Sequence, residues 1–118
     1  MKKVAIIQCA KIKDASCVGC LKCFKAASKK EGEFSRYDED VQLVAMSGCG
    51  DCPGLIMPKA GLLMEMSDYL DCEIDAIHLG TCMVKAVKTA GCQVDLDKIK
   101  EMLSSKFGKE VVIGSHNY

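Results

Sequence analysis

"KVAIIQ", residues 3–8, is a short apolar run that leads directly into Cys9. A run of this length without an alternating polar face suits a strand covered on both sides. Three later stretches repeat it: "VQLVAM" at 41–46, "DAIHLG" at 75–80 and "EVVIG" at 110–114. The intervals between them carry helical spacing. Residues 21–30 place Leu21, Phe24 and Ala27 three apart, with lysines over the remaining face. From Pro58 to Leu70, the proline suits a first helical position, and Leu62, Leu63, Met66, Tyr69 and Leu70 fall on one apolar face. Over 96–107, Asp95 can cap, Leu96, Ile99, Leu103 and Phe107 make a stripe, and Gly108 can close the helix.

Alternating strands and helices are the grammar of a parallel sheet wrapped by right-handed crossovers. The pattern predicts a small doubly wound α/β sheet of about four strands, a Rossmann- or flavodoxin-like three-layer sandwich. No linker, low-complexity segment or internal repeat interrupts residues 1–118, which read as one domain.

Composition sorts function classes. The 16 basic and 16 acidic side chains cancel, and three Tyr and three Phe leave little for stacking on bases, so nucleic acid is not expected as a partner. The apolar runs are far short of a membrane span. "MKKVAIIQC" opens like a signal peptide, but its apolar run is too short and Lys11, Lys13 and Asp14 follow at once; a cytoplasmic protein is the expectation. Nine cysteines is an odd count without a secretion signal. In a reducing compartment such density points to metal ligands or redox groups rather than to structural disulfides.

The predicted topology sorts those cysteines. Ligands of such sheets bind outside the carboxyl ends of the strands. Cys9 ends the first strand, and Cys17, Cys20 and Cys23 follow it; Cys49 and Cys52 follow the second, Cys82 and Cys92 the third, and His116 the fourth. Cys72 alone precedes a strand and reads as a buried small hydrophobe.

"CVGCLKC" at 17–23 is C-x2-C-x2-C, a spacing that lets successive thiolates reach different irons of one iron–sulfur cluster, although the Cys-Pro that ends the bacterial ferredoxin run is missing. Zinc would accept any four thiolates or imidazoles in a tetrahedron, for instance Cys49, Cys52, Cys82 and His116. The spacing does not choose between the two. In "GCGDCPG" at 48–54 the glycines allow amides to approach sulfur, and a helix starting just afterwards favours thiolate over thiol. That serves a metal ligand and a redox nucleophile equally, so Cys49 and Cys52 as a thiol–disulfide or sensor pair stays open beside the metal reading. A thioredoxin-like enzyme is disfavoured, because Pro53 and Pro58 are the only prolines and neither lies well downstream. His78, between Ile77 and Leu79, reads as a hydrogen-bonded core histidine at least as readily as a ligand. A flavin nucleotide is disfavoured too: "CAKIKDASC" at 9–17 lacks a glycine- and hydroxyl-rich phosphate cradle.

On Cys9, "CLKCFKA" at 20–26, "GCGDCPG", "AIHLGTC" at 76–82, "DKIKEML" at 97–103 and the late "GSH", the chain resembles the CGGC-domain family of small prokaryotic proteins over nearly its whole length. It departs in having Asp51 at the second central glycine and "GCQVD" around Cys92, where the family usually has flanking prolines and a following histidine. The resemblance implies metal binding and names neither metal nor reaction. The combined expectation is a Cys/His site at the carboxyl edge of the sheet, holding an iron–sulfur cluster or zinc, with a redox or electron-transfer protein as a possible partner and no assigned catalytic residue. The ligand candidates are Cys9, Cys17, Cys20, Cys23, Cys49, Cys52 and Cys82, followed by Cys92 and His116.

Overall fold

A computed structural model describes residues 2–9, 12, 20–49, 55–89 and 95–116. Among them, β1 (Lys2–Gln8), β2 (Val41–Gly48), β3 (Ala76–Leu79) and β4 (Glu110–Ile113) form one sheet in the order β2-β1-β3-β4. Every pairing is parallel. The chain steps outward from β1 to β2, then returns past β1 to β3 and out to β4. That reversal opens a crevice at the carboxyl ends of β1 and β3, where sheets of this kind bind ligands.

Helices cover both faces: α1 (Leu21–Lys29), α2 (Ile56–Tyr69), α3 (Thr81–Thr89) and α4 (Leu96–Phe107), with a 3-10 turn over Gly32–Arg36. Alternation along β1 shows the division. Ala5 and Ile7 join Ile77, Leu79 and Val111 beneath Ile56, Ala60, Met83, Ala86 and Leu103. Val4 and Ile6 join Ala76 beneath Cys23, Ala26, Ala27, Phe34 and Tyr37. With both faces covered, Val4 through Ile7 are all buried, which is why their sequence is apolar without a break.

β2 contains one extra residue. Val4 pairs with Leu43 but Ala5 pairs with Ala45, so Val44 is a bulge. Past it the ladder runs on to Gln8 opposite Gly48.

The four strands and the helix over 96–107 stand where the sequence places them. In α4 the Asp95 side chain accepts from the Lys98 N–H at 3.2 Å, and Gly108 ends the helix at φ 65°. Two helical faces differ from expectation. In α1 the buried stripe is Cys23, Ala26 and Ala27, while Leu21 and Phe24 are exposed. In α2, Ile56 and Ala60 are buried and Leu63 and Met64 pack beside them, whereas Leu62, Met66, Tyr69 and Leu70 face outward. Pro58 is the third residue of that helix, where its missing N–H still costs no intrahelical bond. α3 was not expected; it begins directly after β3.

Candidate metal centre

Three cysteines from three strand ends lie on one face of the sheet, at its carboxyl end. Cys9 follows β1, Cys49 follows β2 and Cys82 is the second residue of α3; all three are buried in the same cluster. The ladder explains the first two. One step beyond Gln8 and Gly48 lie Cys9 and Cys49, and the Cys49 N–H donates to the Gln8 carbonyl at 2.8 Å, so pairing continues up to the cysteines. Without the bulge at Val44, Gly48 would sit beside Cys9 instead.

The sulfurs here accept backbone amides. The Cys9 N–H donates to Cys82 Sγ at 3.1 Å, and the Ile12 N–H to Cys9 Sγ at 3.5 Å. Cys82 also lies in the first turn of α3, where the partial positive charge of the helix end favours thiolate. Gly80 makes this approach possible. Its N–H donates to the Ile7 carbonyl at 2.8 Å, and a Cβ built on it would lie 3.2 Å from both Cys82 Sγ and the Ile7 oxygen.

The opposite face carries a different pair. Cys20 stands at the start of α1 in the left-handed region, φ 56°, and its thiol donates to Gln8 Oε1 at 2.9 Å. Cys23, one turn on and buried, lies 3.2 Å from Ser115 Oγ. Ser115 is itself held by Thr81, whose N–H donates to Ser115 Oγ at 3.2 Å and whose hydroxyl accepts from the Ser115 N–H at 2.9 Å. The Thr81 hydroxyl donates in turn to the His116 carbonyl. Sequence reasoning missed Gln8, Thr81 and Ser115. Their signal was available, since each lies within one residue of a Cys or His already singled out at a strand end.

His116 is buried after β4, while Cys49 follows β2. These are the two edge strands, three spacings apart, or about 14 Å between backbones. His78 is a core histidine. It is fully buried and stacked 4.5 Å from Phe34; Nδ1 donates to the Gly114 carbonyl at 2.8 Å and Nε2 accepts from the Tyr37 hydroxyl at 2.6 Å. Burial lowers its pKa below the usual imidazole value and raises that of the Tyr37 phenol. Cys72 is half-buried rather than buried, beside a groove under Leu63, Met66 and Leu70 at the other end of the sheet. Cys17, Cys52 and Cys92 lie outside the described residues.

The donor chemistry fits a thiophilic metal: buried sulfurs with amide donors turned toward them are what a zinc or iron–sulfur site uses to stabilise charge on its ligands. Among the described residues, no three or more His, Cys, Asp or Glu side chains stand close enough together to hold a metal ion. Among these residues too, no helix is long and apolar enough to cross a membrane.

No solved structure matches the chain. A protein of Methanocaldococcus jannaschii, described only as uncharacterized, is 35% identical over 117 residues, covering 97% of this chain and 86% of the relative. The model of the CGGC domain matches residues 3–116, so the chain belongs to the CGGC-domain family.

Proposed function

We propose that this chain binds zinc or an iron–sulfur cluster at the carboxyl ends of β1, β2 and β3. Cys9, Cys49 and Cys82 are the core ligands, and Cys52, three residues after Cys49, is the candidate for a fourth. The observation that supports this reading is the placing of Cys9, Cys49 and Cys82 on one face at the carboxyl end of the sheet, with the Cys9 N–H directed at Cys82 Sγ. Apolar packing alone explains buried thiols but not their gathering at the switch point of the sheet. Cys17, Cys92 and His116 are further candidates, for a second metal or for spare ligands. A bound metal would supply either a fixed thiolate cage or, as a cluster, an electron-transfer centre for a cytoplasmic redox partner.

The test is purification without oxygen, followed by iron, zinc and sulfide per chain and the visible spectrum. Cys9→Ser, Cys49→Ser and Cys82→Ser should each lower metal content, and Cys72→Ser should leave it unchanged. Equal retention in all four variants would remove the site from this face.

A further inference from the structure

Five described cysteines lie near the carboxyl end of the sheet, but they divide between its faces. The side chains of Gln8 and Cys9 point to opposite sides, and Cys20 and Cys23 belong with Gln8. Among the described residues the partners differ in kind as well. Cys9 and Cys82 receive backbone N–H groups, which can only donate. Cys20 and Cys23 face a carboxamide and a hydroxyl. Those two groups can accept from a thiol and, after rotation, donate to a thiolate. Such partners serve a sulfur in both of its protonation states, which a thiol that attacks and is later reprotonated requires.

The geometry points to Cys20 and Cys23 as a redox dithiol that exchanges with a disulfide substrate, separate from the thiols of the proposed metal site. It rests on that site only in leaving these two sulfurs out of it. The spacing Cys20-Leu21-Lys22-Cys23 places both at the start of a nine-residue helix, where the helix end favours the thiolate needed for attack. Cys20 precedes the helix in the left-handed region and Cys23 lies in its first turn, so closing a disulfide between them turns on the backbone at Cys20, the one residue of the pair outside the helix. Cys20, half-buried, is the accessible attacker; Cys23, 7% exposed, is the resolving thiol.

The steps balance without another co-reactant. The Cys20 thiolate attacks one sulfur of the substrate, breaking its S–S bond, forming a mixed disulfide and releasing one thiolate. The Cys23 thiolate then attacks Cys20 Sγ and releases the second. The dithiol loses two electrons and the substrate gains them, and the two protons of the dithiol end on the two product thiols. The substrate class is a disulfide, of a small thiol or of a polypeptide. Leu21, 73% exposed, and Phe24, 48% exposed, stand beside the attacking sulfur and offer a polypeptide an apolar foothold.

The experiment uses the metal-loaded chain purified without oxygen. It is treated with glutathione disulfide or with insulin, the remaining thiols are alkylated, and the linked peptides are mapped by mass spectrometry. A Cys20–Cys23 bond with metal content unchanged is expected in the wild type, a reading that needs no variant to fold. Cys23→Ser should trap a glutathione adduct at Cys20, and Cys20→Ser should trap none. Leu21→Ser with Phe24→Ser should slow insulin reduction roughly tenfold and leave glutathione disulfide unaffected if the substrate is a polypeptide; equal rates would assign the site to small disulfides. Recovery of Cys20 and Cys23 both alkylated would overturn the dithiol. So would loss of metal from Cys20→Ser or Cys23→Ser matching that from Cys9→Ser, which would make them ligands and leave metal binding standing. A wild type without metal that still forms the Cys20–Cys23 bond would remove the metal site alone.

Discussion

The backbone N–H of Cys9 donates to the Sγ of Cys82 at 3.1 Å, tying the end of β1 to the start of α3 through a sulfur. The contact depends on Gly80, because a side chain there would press on both Cys82 Sγ and the Ile7 carbonyl. Gly80→Ala is therefore expected to displace Cys82, costing about 1–3 kcal/mol as an overpacking change. It should also lower metal content without removing a thiol. Urea unfolding and metal analysis of the same preparation check both.

His78 predicts an acid-sensitive core. Burial holds its folded pKa below the ordinary 6.5, while the unfolded chain titrates near that value. Between the two, the unfolded state binds a proton that the folded state refuses. Stability contributed by neutral His78 is thus complete above pH 6.5 and declines as pH falls below it, with a slope of at most about 1.4 kcal/mol per pH unit, until the folded pKa is reached. His78→Gln should flatten that decline in urea midpoints measured from pH 8 to 5.

Tyr37 supplies the hydroxyl that Nε2 of His78 accepts. Tyr37→Phe leaves that nitrogen buried without its donor, and a loss of about 1–3 kcal/mol is expected. Thermal or urea unfolding at pH 8 measures it apart from the titration.

Two glycines with positive φ should separate strain from crowding. Gly108, φ 65°, has nothing near its missing Cβ, so Gly108→Ala is expected to cost about 1–2 kcal/mol for left-handed strain alone. Gly32, φ 57°, faces the Ser115 carbonyl and the His116 backbone, against which a Cβ would collide. Gly32→Ala should cost more than Gly108→Ala. It should also disturb the Ser115 hydroxyl beside Cys23, seen as altered alkylation of that thiol.

The outward face of α2 tests burial directly. Leu62 is 65% exposed, so Leu62→Ser should change stability by no more than about 0.5 kcal/mol. Ala60 is 1% exposed, and Ala60→Leu should cost about 1–3 kcal/mol.

That helix also shows where sequence reading stops. β1, β3 and β4 were legible because a strand covered on both faces carries its burial as an unbroken apolar run. α4 was legible because Asp95 and Gly108 mark its ends by chemistry rather than by pattern. α2 is apolar nearly all round: Ile56, Ala60 and Leu63 face one way, Leu62, Met66 and Tyr69 another, and hydrophobicity cannot say which set packs. In α1 the bulkiest apolar residues misled, since Leu21 and Phe24 are exposed. Three-residue spacing picks out Leu21, Phe24 and Ala27, while the face that packs is Cys23, Ala26 and Ala27. The placing of Cys9, Cys49 and Cys82 at one end of the sheet followed from strands alternating with helices, but the strand order did not. Nor did the division of these three from Cys20 and Cys23, because the side on which a residue falls depends on registers set by a neighbouring strand.

The inserted Val44 carries that dependence furthest. Because the extra residue lies upstream of Cys49, the route from Val41 to the thiol is counted in residues as well as in ångströms. Regular pairing of the same residues would keep every cysteine in the polypeptide and still carry Cys49 one position past Cys9, whereas deleting one residue at the bulge would leave the two side by side. A strand shorter by one residue and free of the bulge is thus equivalent at the thiol, and it is the pairing register, not the residue count alone, that keeps Cys49 in place.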